Sequence, residues 1–155
     1  MEKELERKII EALANNEELV SRLYGLYSQK FIEYKDFWGQ LTKEEIGHAV
    51  LIRELYGRVS DGQLYFNEKF SLQAIETFSA YLEDLIIQTQ NNEVSPLAAT
   101  AISLDIERAL IENKYFEYFE TDSITLKHML TTLKDDLERH SKMVSDLLDE
   151  IRLKT

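Results

Sequence analysis

The chain has 155 residues, a length typical of one folded domain, and we expect a single domain over residues 1–155. Its formal net charge of −11 argues against binding to nucleic acid or to an anionic membrane surface, because both need clustered Lys and Arg. It contains no cysteine, which excludes disulfides, zinc–thiolate sites and iron–sulfur clusters, so a bound metal would need carboxylate or imidazole ligands.

Apolar residues recur at steps of three and four in five segments, which predicts five amphipathic helices and an all-α fold. The low content of proline and glycine, one and five residues, suits long helices. In chain order the predicted helices are about Glu2–Glu33, about Phe37–Gly57, about Ser71–Gln90, Pro96 to about Phe119, and a last helix that ends near Leu153. Short connections join the first helix to the second and the fourth to the fifth, and the third helix lies in a long crossover. This order of connections is typical of a four-helix bundle with an extra helix in the crossover.

Several residues predict where these helices begin and end. Asp36 and Ser95 are the predicted N-caps of the second and fourth helices, and Gly57 is the predicted end of the second. The segment Thr121-Asp122-Ser123 predicts a turn and a cap before the fifth helix.

Five polar side chains occupy positions within the apolar stripes. Glu17 lies in the first stripe, Glu45 and His48 in the second, Glu107 in the fourth and His140 in the fifth. A carboxylate buried alone costs several kcal/mol or more, so such groups are normally paired or bind a metal. A shared metal site would satisfy all five side chains at once.

Each of these residues also has a structural explanation. Glu45 fits a capping box with Thr42, Glu17 could lie at the stripe edge or bond a buried Tyr, and Glu107 could form a surface salt bridge. A single His such as His140 is more often a hydrogen-bonded core residue than a ligand. Four helices that each place an acid or an imidazole near mid-length nevertheless favour convergence on one centre.

The pattern of ligands resembles that of the ferritin-like superfamily and, within it, of the rubrerythrin-type di-iron carboxylate proteins. These proteins take one Glu from each of two helices and Glu-x-x-His from each of two others. The stretch from Phe37 to Ala49 is similar to the family's second ligand helix, and Tyr24 follows Glu17 by seven residues, as is frequent in the family. The resemblance covers essentially the whole chain. It implies a ferritin-like four-helix bundle with a long crossover, Tyr24 as a supporting residue, and as metal ligands Glu17, Glu45, His48, Glu107 and His140.

One position departs from the family pattern. Leu137 stands three residues before His140, where the resemblance leads us to expect a sixth ligand, a Glu. Asp136 lies near the same helix face and could replace that ligand, or could be the partner of a nearby Lys or Arg. The change affects the second metal, so we expect one or two ions.

The resemblance implies that the bound metal is iron, with manganese possible, and that it reacts with peroxide or dioxygen or oxidises Fe(II). The chain has no Cys for the rubredoxin-like domain that rubrerythrins often carry, so an external electron donor would supply the electrons. Three alternatives stay open: a non-catalytic bundle with an eroded metal site that acts as a structural or partner-binding protein, which Leu137 favours; a ferritin-like iron store; and a helical interaction module unrelated to metal.

Location and assembly are also predicted. Residues 1–8 lack the apolar core of a signal peptide, and no apolar run reaches the length of a membrane span, so we expect a cytoplasmic protein. Ferritin-like domains commonly pair through outer helix faces, and we expect a homodimer. The aromatic residues available for its contact are Tyr65, Phe66, Phe70, Tyr115, Phe116, Tyr118 and Phe119.

Overall fold

The computed structural model of the chain describes residues 3–66, 71–113 and 119–155. Within these residues the five predicted helices are confirmed as α1 (Lys3–Lys30), α2 (Lys35–Ser60), α3 (Leu72–Asn91), α4 (Pro96–Asn113) and α5 (Ile124–Lys154). A 3₁₀ turn, Ile32–Tyr34, joins α1 to α2, and two short strands, β1 (Tyr65–Phe66) and β2 (Phe119–Glu120), pair with each other. The architecture is therefore almost entirely helical in the part of the chain that is described.

Two predicted helix starts are confirmed by their capping hydrogen bonds. The backbone N–H of Ala98 donates to Oγ of Ser95 at 3.0 Å, and that of Leu126 donates to Oγ of Ser123 at 3.3 Å. Both bonds satisfy backbone donors that a helix leaves unpaired in its first turn.

Both predicted limits of α2 were wrong. The helix begins at Lys35, directly after the 3₁₀ turn, so Asp36 lies inside the first turn and is not the N-cap. At the other end the helix continues through Gly57 to Ser60, and the N–H of Asp61 still donates to the carbonyl of Gly57. A glycine ends a helix by adopting positive φ, and here Gly62 has that conformation, with φ of 74°.

The predicted C-terminal limit of α4 near Phe119 was also wrong. Phe119 belongs to β2, which runs antiparallel to β1 with Tyr65 opposite Glu120 and Phe66 opposite Phe119. The aromatic residues at this end suit either helix or strand, so the pairing depends on a partner distant in sequence. Tyr115, Phe116, Tyr118 and Phe70 lie outside the described residues, and the homodimer stays a prediction.

Helix α1 packs most closely against α2 and α3, and α4 packs against α5. The register of α1 on α2 follows from two hydrogen bonds: Oγ of Ser28 donates to the carbonyl of Lys35, and Oγ of Ser21 donates to that of Thr42, each at 2.9 Å. The residues of α1 that lie further from the turn pair with residues of α2 that also lie further from it, so the two helices run antiparallel. Continuing this register by one turn brings Glu17 to the level of Glu45.

A buried aromatic cluster fills the space between α1 and the start of α2. Its ring centroids lie 5.1 Å apart for Tyr24 and Trp38 and 5.2 Å apart for Tyr27 and Trp38. All three side chains are fully buried, and the hydroxyl of Tyr24 contacts one of the polar residues described below. Among the described helices, none combines the length and the apolar character needed to cross a membrane.

Candidate metal centre

The centre of the polar cluster is the carboxylate of Glu45, which lies between two imidazoles. Its Oε2 atom is 3.3 Å from Nδ1 of His48 on the same helix, and its Oε1 atom is 2.8 Å from Nδ1 of His140 on α5. The two imidazole rings are stacked with their centroids 5.3 Å apart. One donor atom from each of the three residues lies within 4.8 Å of the others, a spacing in which they could share a metal ion.

Burial separates this cluster from solvent. Glu45 and His140 are completely buried, and His48 is 5% exposed. Side chains of this kind are rarely enclosed unless their charges are compensated. The capping-box explanation for Glu45 is wrong, because α2 begins at Lys35 and the hydroxyl of Thr42 donates to the carbonyl of Trp38 at 2.7 Å.

Glu17 and Glu107 are also buried, as their positions in the apolar stripes predict. Glu17 forms a side-chain hydrogen bond with Glu45. Glu107 accepts a hydrogen bond at Oε1 from the hydroxyl of Tyr24 at 2.6 Å. Its other oxygen, Oε2, is buried and has no hydrogen-bond partner in the described part of the chain. The surface salt bridge considered for Glu107 is therefore wrong. A hydrogen bond to a tyrosine was considered for Glu17, and here Glu107 makes one.

The outer nitrogens of the imidazoles contact a second layer of charged residues. Nε2 of His48 lies 2.9 Å from Oδ2 of Asp136, and Nε2 of His140 lies 3.4 Å from Oε1 of Glu44. Arg139 contacts both of these carboxylates. Asp136 thus contacts the nitrogen of His48 that faces away from Glu45. It is also the partner of Arg139, which confirms the prediction that it pairs with a nearby Lys or Arg.

Sequence reasoning missed Glu44 and Arg139. Arg139 is exposed and Glu44 is partly buried, both on helix faces adjacent to the apolar stripe, and charges at such positions are common on any helix. The sequence signal that could have identified them is their position directly before Glu45 and His140. A residue next to a buried one in a helix lies at the edge of the buried face, within reach of that residue's surroundings.

Two further residues of α5 lack a role as ligands in the structure. Leu137 is fully buried, so the position that would supply a sixth ligand carries a side chain with no donor atom. His128 is exposed on α5 and lies away from the cluster.

The electrostatics of the cluster follow from burial and close contacts. Burial lowers the pKa of His48, but contacts with Glu45 and Asp136 outweigh it and raise the pKa to about 9. Burial raises the pKa of Glu45, yet hydrogen bonds with Glu17, His140 and His48 bring it below the usual range of a carboxyl group. Burial and the nearby charge of Glu45 raise the pKa of Glu107 to about 8. Protons therefore supply the compensating positive charge in the metal-free cluster, and a bound cation would replace them.

Comparisons of this chain with protein-family models, with curated proteins and with solved structures find no match. The residues of the cluster and their geometry are therefore the basis on which a function can be proposed.

Proposed function

We propose that the chain is a single-domain metalloprotein of ferritin-like architecture, similar to the rubrerythrins, that binds iron inside its helical bundle. The observation that carries this proposal is the buried group Glu45, His48 and His140, whose donor atoms lie within 4.8 Å of one another. A mixed set of carboxylate and imidazole donors suits iron, with manganese as an alternative. Glu17 and Glu107 would complete the coordination from α1 and α4.

The fit of this site to a cation is supported by Glu107. A buried acceptor without a partner costs about 1–3 kcal/mol, and Oε2 of Glu107 is such an atom within the described residues. A cation held by Glu45 and the two imidazoles would be attracted by this oxygen and would offset that cost.

Bound iron would supply the redox chemistry, since two Fe(II) ions could provide the two electrons that, with two protons, reduce hydrogen peroxide to two water molecules. The chain's own residues would hold the ions and exclude bulk water from them, because the donor atoms are buried. Tyr24 donates a hydrogen bond to Glu107 at 2.6 Å and so fixes the direction of that carboxyl group. The resulting Fe(III) would need an external electron donor to complete a cycle.

A second candidate is a helical protein with an eroded metal site that acts through partners. The buried Leu137 favours it, because a full di-iron ligand set would have a carboxylate at this position and a Leu side chain supplies none. This candidate predicts one ion or none, and no reaction with peroxide.

The deciding experiment is an anaerobic Fe(II) titration of the metal-free protein, with equivalents counted per chain. We expect one or two equivalents for the wild type and loss of binding in Glu45→Gln and His140→Gln. The matched control is His128→Gln, which removes an exposed imidazole from the same helix as His140. Circular dichroism verifies that each variant is folded.

The outcomes separate the two candidates. Two equivalents, oxidised on addition of peroxide, support the redox function despite Leu137. Binding of no iron by the wild type would contradict the proposal, as would equal binding by His140→Gln and His128→Gln.

A further inference from the structure

The outer nitrogens of the two buried imidazoles contact carboxylates in a crossed pattern. His48 on α2 reaches Asp136 on α5 at 2.9 Å, and His140 on α5 reaches Glu44 on α2 at 3.4 Å. Each of the two helices thus supplies one imidazole to the cluster and one carboxylate to the imidazole of the other helix.

One guanidinium group holds both outer carboxylates. Nη2 of Arg139 donates to Oε1 of Glu44 and, at 3.2 Å, to Oδ1 of Asp136. A guanidinium is planar and presents its donors in a fixed geometry, so it can set the relative position of two acceptors. Because Arg139 directly precedes His140, the same helical turn fixes both residues.

We infer that Arg139 is a positioning residue that orients both imidazoles for the ion through Glu44 and Asp136. A histidine that donates one ring N–H to a carboxylate presents its other nitrogen to a metal. Here Nε2 of each imidazole contacts an outer carboxylate. The Nδ1 atom of His48 lies 3.3 Å from Oε2 of Glu45, and that of His140 lies 2.8 Å from its Oε1. This inference rests on the proposed function, since it assigns Nδ1 as the ligand atom of each imidazole.

A merely stabilising role is a weaker explanation. The side chain of Arg139 is 42% exposed, and ion pairs at such positions add little to the free energy of unfolding. We therefore expect its removal to change the orientation of the imidazoles and the affinity for metal more than the stability of the fold.

The chain offers a matched control in Arg53. This residue of α2 also contacts two carboxylates of a neighbouring helix, Glu11 at 3.5 Å and Glu18. Its side chain is 38% exposed, close to the value for Arg139. Because its ion-pair partners within the described residues are these two carboxylates, Arg53→Gln removes a similar arrangement without affecting either imidazole.

The first test uses the metal-free protein. In ¹H–¹⁵N spectra of the imidazoles, we expect Arg139→Gln to speed exchange of the Nε2 protons of His48 and His140 with water. Arg53→Gln should leave both unchanged, and the exposed His128 serves as an internal reference. Arg139→Lys restores the charge without the planar fork, so we expect an intermediate exchange rate.

The second test measures affinity for Co(II), a probe that is stable in air. Loss of an outer partner of a metal-binding His typically lowers metal affinity by roughly 10–100-fold, and we expect that decrease for Arg139→Gln but not for Arg53→Gln. Wild-type spectra and wild-type Co(II) affinity in Arg139→Gln would overturn the inference about Arg139. Failure of the wild-type protein to bind either Co(II) or Fe(II) would instead overturn the proposed function, and the metal-free spectra would still decide whether Arg139 orients the imidazoles.

Discussion

At the scale of single residues, the buried polar side chains differ in the hydrogen bonds that they make, and the effect of this difference on stability can be tested. Tyr24 and Tyr27 lie on one face of α1, and both are fully buried. The hydroxyl of Tyr24 donates to Glu107, whereas that of Tyr27 lies near the hydroxyls of Thr89 and Ser103 and makes no hydrogen bond of normal geometry within the described residues. The two tyrosines therefore form a matched pair.

We predict that Tyr24→Phe destabilises the metal-free protein by about 1–3 kcal/mol, because it leaves a second oxygen of Glu107 buried without a donor. Tyr27→Phe removes a hydroxyl whose contacts with Thr89 and Ser103 fall short of normal hydrogen-bond geometry, so it should be nearly neutral. Urea unfolding in the presence of a chelator measures both changes. Equal destabilisation by the two substitutions would show that the bond to Glu107 contributes nothing.

The sequence predicted the burial of Glu17, Glu45, His48, Glu107 and His140, and the structure confirms it. Burial was predictable because the face of a helix on which a residue lies is set by its spacing from apolar neighbours. The partners of these residues were less predictable. Glu44 and Arg139 reach the imidazoles across the gap between α2 and α5, and no spacing within one helix encodes that contact.

At the scale of elements, the glycines of α2 and its following turn differ in their conformational demands. Gly47 lies inside α2, and a Cβ atom built there meets no described atom within 4 Å beyond its chain neighbours and its own helix backbone. Gly62 has φ of 74°, in the left-handed region that L side chains rarely adopt.

We predict opposite effects of alanine at these two positions. Gly47→Ala should stabilise the protein by roughly 1 kcal/mol through higher helix propensity, and Gly62→Ala should destabilise it by about 1–2 kcal/mol through backbone strain. Thermal or urea unfolding gives the sign of each change. Destabilisation by Gly47→Ala would mean that another chain or segment covers this part of α2.

The interior glycines of α1 and α2 differ in their surroundings. Within the described residues, an added Cβ atom would have a neighbour at 3.8 Å at Gly25 and at 3.5 Å at Gly39 but none within 4 Å at Gly47. Glycine content alone does not reveal which helix face has a neighbour, because that depends on tertiary packing.

At the scale of the whole molecule, the protons on the cluster couple its stability to pH. The pKa of His48 is raised to about 9 from an ordinary value of 6.5, so the folded state binds this proton more tightly than the unfolded state. The stabilisation is fully present below pH 6.5 and is lost as pH rises through 9. Glu107, with its pKa raised to about 8, acts in the same direction.

We predict that the free energy of unfolding of the metal-free protein falls by roughly 3 kcal/mol between pH 6.5 and 9 from His48 alone. Chelator-treated protein unfolded in urea at several pH values measures this change. His48→Gln should make the profile less steep and leave the part due to Glu107, whereas His128→Gln should retain the whole profile. A stability that is constant over this range would contradict the assignment of the proton to His48.

The sequence by itself determined the five helices, the faces they bury and the five polar residues on those faces. These features are local: hydrophobic spacing, serine caps and the 3.6-residue period act within one segment of chain. Of the corrected details, the start of α2 follows a 3₁₀ turn held by local backbone hydrogen bonds, whereas the pairing of β2 with β1 depends on contacts between segments distant in sequence.

Only the tertiary structure decided which polar residues meet. The register of α2 on α5 places Glu45 between two imidazoles and assigns their outer nitrogens to Asp136 and Glu44. That register results from the packing of whole helix faces, in which many small contacts are optimised together. A sequence pattern gives the direction of each side chain about its own helix, but the position of that helix along its neighbour is a property of the assembled core.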